Sequence, residues 1–106
     1  MTTQYQRGAN FERRVMADLT ERGYYCLRSA GSHSKIDVVA AKNGKVLFIQ
    51  CKIGGVISTK DWNILYGLCR EGLMPIVAEN VRGKVVYMEL KGVREPRKKP
   101  WVEVEL

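Results

Sequence analysis

Cysteine, proline and histidine are scarce in this chain of 106 residues, with three, three and one respectively. Cys26, Cys51 and Cys69 are odd in number and each lies inside an apolar pattern, so they read as reduced core thiols. A disulfide framework or a zinc site would need even pairing or ligand spacing that is absent. Acidic residues are also few, with 11 Asp and Glu against 18 Lys and Arg, a formal net charge of +7. No apolar run approaches the roughly 18 residues that a membrane span needs, and the N-terminus "MTTQYQRGAN" is polar, without a signal-peptide pattern. A cytoplasmic protein with no membrane partner is expected. The hydrophobic share is an ordinary 45%, and the length suits a single domain, 1–106, with its own core. The basic excess, with a pI of about 9.5, points to a polyanionic partner, nucleic acid first. A soluble basic protein without such a partner is the alternative.

Periodicity gives the element order. "NFERRVMADLTERG" reads as a helix, opened by Asn10 or an earlier residue and closed by Gly23. "YYCLRS" is a short strand, "AGSHSK" a polar loop, and "IDVVAA" and "KVLFIQCK" are strands joined through Asn43-Gly44, a strong hairpin signal. Ser58 fits the N-cap of a second helix, with Asp61 three residues on, running through "KDWNILYGLCRE" to Gly72. "MPIVAEN" and "KVVYMEL" are strands around Arg82-Gly83. "KGVREPRKKP", at 91–100, is a basic connection broken by proline, and "WVEVEL" alternates as a last edge strand. The α-β-β-β-α-β-β order predicts an α/β fold with a central mixed sheet flanked by helices.

The hairpin fixes a register. With Asn43 and Gly44 in the loop, Ala41 meets Val46, Val39 meets Phe48 and Asp37 meets Gln50, with Cβ atoms about 5 Å apart. Lys52 projects from the face of Gln50, while Cys51 points the other way with Leu47 and Ile49. In the first helix, at about 100° per residue, Glu12 falls inside the apolar sector of Phe11, Val15 and Leu19. A carboxylate on a buried face needs a cation or a metal. Each residue also has a plainer reading. Asp37 can face solvent at a strand edge, Glu12 can pair with Lys52, and Lys52 can simply end a strand.

"RGANFER", "RSAGSHSKID" and "FIQCK" together resemble the archaeal-type Holliday junction resolvases, a branch of the PD-(D/E)XK nucleases, and the likeness runs from about Tyr5 to Leu90. It implies a restriction-endonuclease-like nuclease fold and a homodimer that resolves four-way DNA junctions with Mg2+, for which Mn2+ can substitute. Carried over residue by residue, Glu12 matches the helix glutamate, Ser32 the loop serine, Asp37 the strand aspartate and Lys52 the lysine. Gln50 stands where the second acid is usual. On this reading Asp37, Glu12, the Gln50 oxygen and the Cys51 backbone carbonyl hold the metal. Lys52 orients the water and stabilises phosphate charge, and Ser32 bonds a phosphate oxygen. Arg7, Arg13, Arg14, Arg28, Lys35 and Lys60 would follow DNA backbones, and His33 makes a DNA contact or has no role. Ile64 and Leu68 lie outside the Trp62, Leu65, Tyr66, Cys69 stripe, where they serve burial or a dimer contact. The rival readings are a restriction-type duplex nuclease and a junction-binding protein impaired in catalysis by Gln50.

Overall fold

The structure is a computed structural model that describes residues 3–29, 35–54, 57–69 and 71–106, the side chains of residues 4 and 5 excepted. The elements are α1 (Gln4–Glu21), β1 (Tyr25–Arg28), β2 (Val38–Lys42), β3 (Lys45–Lys52), α2 (Thr59–Leu68), β4 (Leu73–Val81), β5 (Lys84–Leu90) and β6 (Trp101–Val104). Six strands form one sheet in chain order. Only the β3–β4 pair is parallel, and α2 makes the crossover between them. The mixed sheet and both helices agree with the sequence reading, and "WVEVEL" supplies the final edge strand.

Helix α1 starts well before Asn10. Thr3 caps it, its hydroxyl accepting from the Gln6 N–H at 3.0 Å while the Gln6 side chain accepts from the Thr3 N–H at 2.9 Å. Two end donors are thereby satisfied at once. Beyond the helix, Gly23 takes a φ of 94° that a side chain would strain. Phe11, Val15 and Leu19 form the buried stripe, each contributing about 1.5–3 kcal/mol by leaving water.

At the β2–β3 turn Asn43 and Gly44 have φ of 49° and 83°, the two left-handed residues a type I′ turn requires. The register follows, with Ala41 opposite Val46 and Val39 opposite Phe48. The β4–β5 turn repeats the geometry with Arg82 and Gly83, φ 52° and 83°.

Alternation along the strands separates two cores. Val38, Ala40, Leu47, Ile49, Ile76 and Ala78 face α1 and meet Phe11, Val15 and Leu19. Phe48 and Val77 face the other way and meet Trp62 and Leu65 of α2, with Ile57 and Leu90. Helix α2 ends at Leu68, short of the expected Gly72, and Cys69 is already extended; Gly67 in its last turn favours this early exit. Ile64 is half-buried and Leu68 exposed. Among the described residues no helix is long and apolar enough to cross a membrane.

Candidate active site

The polar ends of β3 and β2 meet between the first turns of α2 and the middle of α1. The ladder between β2 and β3 stops at Val38 opposite Ile49. Asp37 does not continue it opposite Gln50, as alternation predicted. Its N–H instead donates to the Ile49 carbonyl at 2.8 Å, and its own carbonyl accepts from the Ser29 N–H of the β1 side at 2.9 Å. This one-residue slip has the character of a bulge, which bends a strand and re-aims a side chain. The Asp37 carboxylate is turned to accept the Cys51 N–H at 2.8 Å. A strand residue directs its N–H and C=O to the same edge, so the Cys51 carbonyl also faces the Asp37 side.

Two carboxylates meet here. Burial pushes the Asp37 carboxyl up; the Cys51 N–H opposes this, Glu12 adds to it, and Arg28 and Lys52 pull it back down. Glu12 is held by Arg28, whose Nε donates to Oε1 at 2.8 Å, with the two side chains only 27% and 20% exposed. Arg28, not Lys52, is thus the cation that makes a glutamate tolerable on this face. The Cys51 thiol is held protonated by burial, with the nearby Asp37 and Glu12 charges adding to the effect.

Gln50 lies near the start of α2, and Lys52, at the end of β3, stands beside Glu79 of β4 in the parallel ladder. The Gln50 side chain lies close enough to the carboxylate of Asp61 in α2 to help hold it ionised. Its Oε1 is buried and has no hydrogen-bond partner among the described residues, so the amide N–H is the group that favours the Asp61 charge. Asp61 also pairs with Lys35 at 3.1 Å, and these bonds, Lys35 first, hold its carboxyl below the usual range. Lys52 makes no ion pair among the described residues, although its charge reaches Asp37. It lines a cavity of about 210 Å³ with Arg7, Gly8, Phe11, Cys51 and Ile53.

The other expected cations divide. Arg7, Arg13 and Lys60 are exposed. Arg14 donates to the Gly83 carbonyl at 2.6 Å, tying α1 to the β4–β5 turn, and Arg28 and Lys35 are committed to ion pairs. Ser32 and His33 lie outside the described residues. Asp61 and Glu79 were missed as members of this cluster. Asp61 offered a signal, since the N-terminus of a crossover helix returns near the end of the strand it leaves.

The family described as archaeal Holliday junction resolvase matches residues 3–60 of this sequence, the segment that carries Glu12, Asp37, Gln50 and Lys52. The chain belongs to this family. A stretch of 52 residues is 38% identical to the crossover junction endodeoxyribonuclease Hjc of Methanocaldococcus jannaschii, covering 49% of this chain and 38% of that protein. The match therefore spans little more than a third of that relative's length. The solved structure of Archaeoglobus fulgidus Hjc, a Holliday junction resolvase from an archaeal hyperthermophile, matches with a TM-score of 0.65 and 25% identity. The match covers 76% of this chain and 70% of that one. The fold is accordingly the restriction-endonuclease-like one.

The donor chemistry of this cluster would suit a hard, oxygen-seeking cation. Glu12 and Asp37 are neighbouring carboxylates whose charges oppose one another, and Gln50 adds a buried amide oxygen with nothing bonded to it. Such an orphaned acceptor costs about 1–3 kcal/mol unless a ligand uses it. Among the described residues no three His, Cys, Asp or Glu side chains form a ligand group by themselves.

Proposed function

We propose that the protein is a magnesium-dependent endonuclease that resolves four-way DNA junctions by phosphodiester hydrolysis. The observation that carries this reading is the pair of neighbouring carboxylates, Glu12 and Asp37, at the end of the sheet where β3 places Gln50 with its buried, unpartnered oxygen, within the segment shared with the resolvase family. Glu12, Asp37, Gln50 Oε1 and the Cys51 backbone carbonyl would hold the ion. Magnesium, for which manganese can substitute, gathers the scissile phosphate and lowers the pKa of the attacking water when bound.

The chain's own groups prepare that chemistry. Arg28 fixes the Glu12 carboxylate, and the slip at Asp37 together with the Cys51 N–H fixes the other. Lys52 keeps an ammonium without an ion pair among the described residues near Asp37, where it orients water and stabilises charge developing on the phosphate. Ser32 supplies a bond to a phosphate oxygen. Arg7, Arg13 and Lys60 are exposed cations that follow DNA backbones. Arg14, Arg28 and Lys35 act mainly through the partners they already hold, and His33 contributes at most a backbone contact.

Symmetric resolution takes two cuts, and each chain has one such site, so the working unit is a two-fold dimer. Helix α2 covers the sheet mainly over β4. The face of β1–β3 opposite α1 carries the rows Tyr25, Ala41, Val46 and Leu27, Val39, and Phe48 at its border packs toward α2. Tyr25 and Leu27 are 73% and 58% exposed. This apolar face fits a second copy better than the sequence-based choice of α2, whose one exposed large apolar side chain is Leu68.

A second reading, a junction-binding protein without cleavage, rests on Gln50 standing where an acid is usual. A magnesium titration of junction cleavage with the parent, Gln50→Glu and Lys52→Ala separates the two. The nuclease reading expects cutting by the parent or by Gln50→Glu and none by Lys52→Ala. Tight junction binding without cutting by either of the first two at any metal concentration would leave the binding module.

A further inference from the structure

The 91–100 connection between β5 and β6 is outside the segment matched to the family and has no part in the chemistry above. It carries Lys91, Arg94, Arg97, Lys98 and Lys99 against one acid, Glu95. A run of cations on a loose loop is ordinary solvated surface, but this loop is built. Its base is closed by the Lys91 N–H on the Pro100 carbonyl at 2.6 Å, and its tip by reciprocal Glu95–Lys98 backbone bonds at 3.1 and 3.0 Å. Two side chains of α2 pin it: Trp62 Nε1 donates to the Gly92 carbonyl at 2.8 Å, and Asn63 Oδ1 accepts from the Arg94 N–H at 2.8 Å. Arg94 lies over the Trp62 ring at 5.7 Å and donates to the Ile57 carbonyl.

Two of the five cations are thereby accounted for, because Arg94 is a pin and Lys91 pairs with Glu89 at 3.1 Å. Arg97, Lys98 and Lys99 are exposed and make no ion pair among the described residues. Three like charges held in a row repel one another, and the one acid of the hairpin, Glu95, forms no ion pair with them among the described residues. Their position is informative. Arg94 grips Ile57, just ahead of α2 and a few residues beyond Lys52. Lys99 is close enough to Glu79 to pull its carboxyl down against the effect of burial, and Glu79 is the ladder neighbour of Lys52.

We propose that this pinned hairpin is a second DNA-backbone contact, with Arg97, Lys98 and Lys99 gripping phosphates of a duplex arm that passes over the α2 side of the site. It rests on the reading of the protein as a junction-binding nuclease. A fixed row of cations neutralises successive phosphates without ordering a loop at the moment of binding, and each contact releases condensed counterions. The hairpin contributes affinity and orientation, and leaves the hydrolytic step to the site.

The test measures four-way-junction binding across a salt series in an Asp37→Asn background, where the DNA is not cut. The proteins are that background alone and the same with Arg97→Gln, Lys98→Gln and Lys99→Gln together. The charge-keeping set Arg97→Lys, Lys98→Arg and Lys99→Arg, and Lys45→Gln at the opposite end of the sheet, are measured beside them. The glutamine triple should lower the slope of log affinity against log salt by about 2–3, near 0.9 per lost phosphate contact, and weaken binding at least about tenfold at moderate salt. The charge-keeping set and Lys45→Gln should stay within about twofold of the background, since the first retains phosphate contacts and the second removes none. An unchanged slope for the glutamine triple, with a steep slope in the background, overturns the hairpin contact alone. A background that shows no salt-dependent junction binding overturns the functional reading as well.

Discussion

Changing Gln50 to glutamate alters two interactions that pull in opposite directions, depending on whether a cation is present. The Gln50 amide N–H favours the Asp61 carboxylate while Oε1 is left unbonded among the described residues. An ionised glutamate can only accept, so the variant loses a hydrogen bond to a charged group, about 1.5–3 kcal/mol. It also adds a carboxylate beside Asp61, which Lys35 at 3.1 Å only partly offsets. In chelator the variant should therefore be less stable than the parent by about 2–3 kcal/mol. At a slope near 1 kcal/mol per molar urea for a chain of this size, its unfolding midpoint should fall by about 2–3 M. Magnesium should reverse the order of response. An ion at about 100 times its dissociation constant adds about 2.7 kcal/mol, and the variant, with one more charged ligand, should reach that gain at lower magnesium than the parent. Urea unfolding of both proteins, with chelator and across a magnesium series, measures each part. Equal midpoints in chelator together with equal magnesium responses would refute both the Asp61 bond and the place of Gln50 at the cation.

Other outcomes follow from single contacts. Trp62→Phe removes the donor to the Gly92 carbonyl and part of the packing on Trp101, whose ring centroid is 5.1 Å away; a loss of about 2 kcal/mol in denaturant unfolding is expected. Arg82→Asn should raise stability by about 0.5 kcal/mol, because the position is left-handed at φ 52° and asparagine tolerates that region better. Tyr25→Lys with Leu27→Lys places charge on the bare face of β1 and should convert a dimer to a monomer in light scattering. A dimer that persists unchanged would move the interface elsewhere.

The residues explain which parts were legible in advance. Asn43-Gly44 fixed a hairpin because both turn positions need left-handed backbone, and the Phe11, Val15, Leu19 spacing fixed the buried side of α1. Glu12 on that side was visible as a carboxylate in need of a cation, but its partner was not. Arg28 reaches it only because β1 pairs with β2 in a register that sets Arg28 opposite Val38. The slip at Asp37 was illegible for a related reason: alternation describes a regular ladder, and the departure depends on bonds from Ser29, Ile49 and Cys51 together. The Gln50–Asp61 bond depends on where the crossover brings α2 over the sheet, a tertiary fact that local spacing does not carry. The hairpin at 91–100 read as a basic connection because its pins, Trp62 and Asn63, lie about thirty residues away in the chain.

The central claim is that Asp37 and its neighbours form a metal-dependent centre for cutting branched DNA. Its most direct test is cleavage of a four-way junction and of a linear duplex of the same sequence, by the parent and by Asp37→Asn, each with magnesium and with chelator. The account predicts paired cuts in the junction by the parent with magnesium, little cutting of the duplex, and none in chelator. Asp37→Asn should bind the junction as well as the parent or better, and not cut it. Cutting by Asp37→Asn at the parent's rate, or cutting by the parent in chelator, would contradict it.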